Sequence, residues 1–148
     1  MNEFRAVRRG AEVGFGTAME ATLGFSRALR VGDLIFVSGM TATDLSGKVV
    51  AEGMYDQMKM IYQKIDLVLK AHDSGIKDVV KVVWYMADIA GDFGPVTRAH
   101  NEAFGDVRPV LTGVGVKLVD PAMLVEMDAI AVIRSEGADD NLKRVVGA

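Results

Sequence analysis

The sequence predicts a single α+β domain, a mixed β-sheet with helices on one face, in the order ββαβαββ. Three observations carry that expectation. At 148 residues the chain can bury a proper core, and no Ser- or Gly-rich linker divides it. Residues 1–148 therefore read as one domain, with the core at about 20–134. The apolar period alternates along the chain between strand-like and helical spacing. The run "VVKVVWYMA" is apolar on both faces apart from Lys81, so both faces need cover and two helices can supply only one. Copies of the same chain are the expected cover for the other.

The elements follow in order. "ATLGFSRALRV" and "LIFVSGM" flank Gly32 and Asp33 and read as a β-hairpin. "TATDLSGK" supplies a loop of turn formers. From Met54 to His72 the residues Met54, Met58, Ile61, Ile65, Val68 and Leu69 fall on one helical face. Asp56, Lys59, Gln63 and Asp66 lie elsewhere. "HDSG" ends this helix, with Gly75 expected just past its end and His72 on the surface near the negative dipole end. "DVVKVVWYMADI" is rich in β-branched and aromatic residues and reads as a strand. "GDFGPVTRAHNEAFG" reads as a second helix, with Pro95 tolerated in its first turn. Strands at roughly 111–118 and 123–133 close the sheet around "VDPA". The tail from Ser135 is polar at first and expected to be loosely ordered.

The last strand carries the chemistry. Leu124, Glu126, Asp128, Ile130 and Val132 share one face, while the alternate residues from Met123 to Ile133 are uniformly apolar and belong to the core. A hairpin about Asp120 and Pro121 would set Gly115 opposite Glu126 and Gly113 opposite Asp128, leaving a shallow cavity floored by backbone. A partly buried acid there holds its proton more readily and suits proton transfer. The competing reading leaves both acids solvated, or paired with Lys117 or Lys81.

Other classes are excluded or weak. A net charge of -3, with "RAVRR" the only dense basic stretch, argues against nucleic acid. The absence of cysteine rules out disulfides, thiol catalysis and thiolate metal sites. No run approaches transmembrane length and the N-terminus lacks a signal-peptide core, so a soluble cytoplasmic protein is expected. His100 has no partner at ligand spacing, so no metal site is expected. Ser38 in "VSGM" lacks a nucleophile-elbow context and reads as a hydrogen-bonding residue. "GFG" at 14–16 is too weak for a nucleotide site.

Three stretches, "GFSRALRVGDLIFVSGMTATDLSGKVV", "DVVKVVWYMADIAGDFGPV" and "FGDVRPVLTGVGVKLVDPAMLVEMDAIA", together resemble the Rid family over about Gly24 to Ile133. That family is also called YjgF-type and was once described as L-PSP endoribonucleases. The resemblance implies a chorismate-mutase-like fold assembled as a homotrimeric barrel with ligand clefts between subunits. It also implies hydrolysis, without a cofactor, of reactive enamines or imines to carbonyl compounds and ammonia. By the same resemblance Glu126 is the catalytic acid that holds water or relays a proton. Phe25, Ser38, Arg108, Leu111, Thr112 and Gly115 are the substrate-binding residues, with Phe25 standing where the family often has Tyr.

The main departure is Leu111. Deaminating members usually read "RPAR" followed by Ser or Thr, and the second arginine grips the substrate carboxylate; here the run is "RPVLTG". A charge-assisted bidentate pair in a dry cleft is worth about 2–5 kcal/mol. Its loss implies a substrate less anionic or more apolar at that position, unless Arg27, Arg98 or Arg108 substitutes. The leading reading is a deaminase of small imines with an altered substrate range. The alternative is a non-catalytic trimer that binds a small metabolite, while the acidic charge balance argues against a ribonuclease.

Overall fold

The computed structural model describes residues 3–91 and 93–134, so the tail from Ser135 lies outside the described residues. In chain order the elements are β1 (Val7–Arg9), β2 (Glu12–Gly14), α1 (Ala18–Leu23), β3 (Ala28–Val31), β4 (Leu34–Met40) and α2 (Gly53–Lys70). A 3-10 turn at Ile76–Asp78 leads to β5 (Val79–Met86), α3 (Phe93–Phe104), β6 (Val110–Gly115) and β7 (Val125–Val132). The strands form one mixed sheet in the order β1-β2-β3-β4-β7-β5-β6. Neighbours are antiparallel except β5 and β6, which α3 joins as a parallel crossover. The expected ββαβαββ order is present from β3 to β7, preceded by the β1–β2 hairpin and α1.

One face of the sheet is covered. Met58, Ile61, Ile65, Val68 and Leu69 of α2 are buried, and the helix packs on β4 and β7. Each such side chain contributes about 1.5–3 kcal/mol when fully buried. The sheet answers with Ile35 and Val37, with Val82, Trp84 and Met86, and with Val125, Met127, Ala129 and Ala131, all buried. The alternation in β7 is the one expected. Phe4, Val13 and Phe15 also join this core, upstream of residue 20. The other face is only partly covered in the single chain: Leu29, Val31, Leu34 and Phe36 on it are exposed.

Four expectations need correction. The first apolar run is not strand throughout, because Thr17 and Glu20 form a capping box that starts α1, and Gly24 ends it in the left-handed region. Only Ala28–Val31 pairs with β4, through the turn at Gly32, whose φ is +60°. At the end of α2 the left-handed residue is Asp73 (φ +60°), while Gly75 is extended and opens the 3-10 turn. His72 is fully buried rather than on the surface. The N-terminal hairpin reaches that helix end, with Arg8 at 4.0 Å from Asp73.

The fourth correction is the closing hairpin, which does not form. β6 pairs in parallel with β5, and β7 inserts between β4 and β5. The two strands are also shorter than expected, at 110–115 and 125–132. Gly113 sits beside Trp84 and Gly115 beside Met86, so neither faces Glu126 or Asp128.

Candidate functional site

The site begins with an irregularity in β4. Val37 pairs with Ala129 and Met40 with Met127, which leaves both Ser38 and Gly39 opposite Asp128. This is a β-bulge, and it aims the extra residue at the neighbouring strand. A β-carbon on Gly39 would collide with the Glu126 carboxylate, so only glycine admits the acid in this position. The hydroxyl of Ser38 is buried and has no hydrogen-bond partner among the described residues.

Glu126 is half-buried on the open face of the sheet. Among the described residues it makes no hydrogen bond or ion pair, and neither Lys81 nor Lys117 pairs with it or with Asp128. Burial pushes its proton affinity above the usual carboxylate range, and the nearby charge of Asp128 pushes the same way; Arg27 pulls against both. Asp128 accepts a 2.7 Å hydrogen bond from the Tyr85 hydroxyl of β5, and that bond, with burial and the acid charges, raises the Tyr85 phenol.

Arg27 stands across β4 from this pair. Its carbonyl accepts from the Ser38 amide at 2.9 Å, so it extends the β3–β4 ladder by one residue. Its Nε donates to Glu20 at 2.7 Å, and its guanidinium lies 4.7 Å from the centre of the Phe25 ring. Glu20 also accepts from the amides of Phe15 (3.0 Å) and Gly16 (2.8 Å). Burial alone would raise Glu20, but Arg27 and these amides outweigh it and hold the carboxylate ionised. A concavity of about 340 Å3 between the N-terminal hairpin and α1 is lined by Glu20 and Phe25, though not by Glu126 or Ser38.

Within one chain, then, Glu126 lies against Gly39, the residue after Ser38, while Phe25 lies against Arg27, whose carbonyl pairs with the Ser38 amide. Thr112 pairs with Val83, which pairs with Asp128, so it shares their face two strands away. Leu111 pairs with buried Val82 and points, like Gly115, toward the helical side. Arg108 is exposed in the left-handed region (φ +50°) just before Pro109, not extended as an alternating strand would have it. Arg98 pairs with Glu102 on the surface of α3, at 3.0 Å. Sequence reasoning missed Gly39, Tyr85 and Glu20. Only Glu20 had a readable signal, the Thr17-x-x-Glu20 box. Among the described residues no group of three or more His, Asp or Glu could hold a metal, and no helix is long and apolar enough to cross a membrane.

A mixed sheet layered on two helices, with a half-buried acid on its open face, defines a YjgF-type α+β protein. It superimposes on Rv2704 of Mycobacterium tuberculosis, described as a member of the YjgF/YER057c/UK114 family. The TM-score is 0.74 and the identity 32%, covering 82% of this chain and 98% of that one. The family profile described as Endoribonuclease L-PSP matches residues 15–133, and the chain belongs to that family. Its relatives include a RutC family protein of Pyrococcus abyssi, 33% identical over 72% of this chain and 84% of its own length. Another is the 2-iminobutanoate/2-iminopropanoate deaminase of Mus musculus, 30% identical over 78% of this chain and 87% of its own.

Proposed function

We propose that the protein hydrolyses small imines and enamines in the cytoplasm without a cofactor, in clefts between the subunits of a homotrimer. The observation that carries this reading is Glu126, a half-buried carboxylate with no ion-pair partner among the described residues, seated against Gly39 in the bulge that also holds Ser38, whose buried hydroxyl has no hydrogen-bond partner there. In the ionised form Glu126 takes a proton from water as the water oxygen bonds to the imine carbon. It then returns that proton to the nitrogen, which gives a carbinolamine. Glu126 next takes the adduct's hydroxyl proton and passes it to the amine nitrogen; the C=O bond forms as the carbon–nitrogen bond breaks, and ammonia and the carbonyl compound leave. A carboxyl with raised proton affinity performs both transfers near neutral pH. The Ser38 hydroxyl holds the water or the developing oxygen. The exposed apolar face around Leu29 and Phe36 supports assembly, and the deaminase relative supports the reaction class.

The test is Glu126→Gln. Ammonia release from a freshly generated imine should fall at least about a hundredfold, the scale of a lost general acid–base. Normal turnover would remove Glu126 from the mechanism. The second reading, a metabolite-binding trimer, is favoured by leucine at position 111. It becomes the better one if the wild-type protein turns over no imine yet binds small carbonyl compounds.

A further inference from the structure

We propose that His72 is a pH-sensitive latch on the N-terminal hairpin: the neutral ring seats residues 7–14 against the end of α2, and protonation loosens them. This inference does not rest on the imine-hydrolase reading. The hairpin precedes residue 15, where the match to the family profile begins. His72 is fully buried, and neither ring nitrogen has a hydrogen-bond partner of good geometry among the described residues. A leucine would fill the same space without burying two polar atoms, so packing alone does not account for the imidazole.

Three elements meet at the ring. Arg8 of β1 lies opposite Val13, which is buried on the covered face, so Arg8 projects to that side and reaches Asp73 at 4.0 Å. Arg30 of β3 follows buried Ala28 by two residues and shares the same face. The carbonyl of Ala11, in the hairpin turn, faces the ring but already accepts from the Arg30 amide at 2.9 Å. An imidazolium has two N–H donors, and this carbonyl keeps one lone pair free, so one donor would stay unsatisfied. Burial opposes the cation most, followed by the charge of Arg8, with Arg30 adding to both. The Ala11 carbonyl, Asp73 and the dipole at this end of α2 favour it, but the Asp73 side chain is 91% exposed and its field is screened. The seating of the hairpin is therefore strongest above the usual imidazole range and weakens as pH falls through the folded value. Phe4 and Val13 stay anchored in the core, so protonation makes opening more frequent without detaching the segment. Little else holds it: β2 pairs with β3 at two positions, and β1 is the edge of the sheet. Through Val7, Arg9 and Glu12 the hairpin also walls the concavity beside Phe25, so each opening widens access to that space.

Amide hydrogen exchange tests the latch. The amides of Arg27 and Arg30 donate to the carbonyls of Val13 (2.8 Å) and Ala11 (2.9 Å), so they report the hairpin. The Ser38 amide, bonded to the Arg27 carbonyl, reports the rest of the sheet. After correction for intrinsic rates, a change from pH 7.5 to pH 5 should lower protection at Arg27 and Arg30 at least about threefold more than at Ser38. Glu20, the carboxylate that fastens the residues after β2, stays ionised over this range and adds no such dependence. His72→Leu cannot take a proton and should abolish the difference. If His72→Leu does not fold, Arg8→Gln removes the nearer cation from a partly exposed position and should shrink it. Equal loss at all three amides, no loss in the wild type, or the same pH dependence in His72→Leu overturns the proposal, as does an unchanged difference in Arg8→Gln where that variant is the one read.

Discussion

Glu126 and Gly39 occupy one another's space, and that exclusion is directly testable. Gly39→Ala meets only the flexible end of Glu126, so the backbone should survive while the carboxylate swings aside. Imine hydrolysis should drop at least about tenfold with a melting temperature shift of only a few degrees. A large fall in stability with activity retained per folded molecule would show that the contact is packing alone. The raised proton affinity of Glu126 has a definite sign. Its contribution to stability is complete below the unfolded value near 4.5 and is lost as pH rises through the folded value. Glu126→Gln mimics the protonated form, so at pH 7.5 its melting temperature should equal or exceed that of wild type. Asp128→Asn removes the second cause of the shift, and the acid limb of the pH–rate profile should move to lower pH. At this scale Glu126 and Asp128 were legible from strand alternation. Ser38 and Gly39 were not placed, because a bulge adds one residue and breaks the period-two rule where the site lies.

Among the elements, one hydrogen-bonded chain ties β5, α2 and α3 together. The indole nitrogen of Trp84 can only donate, and it donates to the Tyr62 oxygen at 3.0 Å. The Tyr62 hydroxyl shares a second hydrogen bond with Nδ1 of His100, also at 3.0 Å. Burial holds His100 below its usual range, and at His72 burial, joined by the charge of Arg8, does the same. Both contribute stability that is complete above the unfolded value near 6.5 and lost as pH falls through their folded values. Urea midpoints should therefore decline from pH 7 to pH 5; a flat profile would show that neither ring resists protonation. Tyr62→Phe orphans the Trp84 donor and should cost about 1–3 kcal/mol in the same assay. The apolar stripe of α2 was legible in the sequence; its two buried polar residues were not. Lys64 donates to the carbonyls of Thr41 and Thr43 at 3.0 Å, packs under Phe4, and has its pKa lowered to about 8 by burial. Gln57 bridges Ala51 and Ala122. Periodicity assigns such residues to solvent and knows nothing of the loop carbonyls that receive them.

For the whole molecule, the open face of the sheet predicts association. Light scattering should give about three times the 15.9 kDa chain mass, and Phe36→Glu, placing a charge on that face, should shift the particle toward monomer. A wild type that stays monomeric would remove the proposed intersubunit cleft. The doubly apolar β5 announced this face in the sequence. The path of the chain through the sheet was not announced, since alternation identifies a strand without naming its neighbours, and "VDPA" suits a hairpin as well as a crossing loop. That path has a consequence for how the protein is made. β4 bonds only to β3 and β7, and β5 only to β6 and β7. During translation the two halves of the sheet leave the ribosome with facing edges unsatisfied, and no strand joins those edges until residues 125–132 emerge. Nascent chains stalled before Val125 should be protease-sensitive and bind chaperones, and those that expose β7 beyond the exit tunnel should become resistant in a single step.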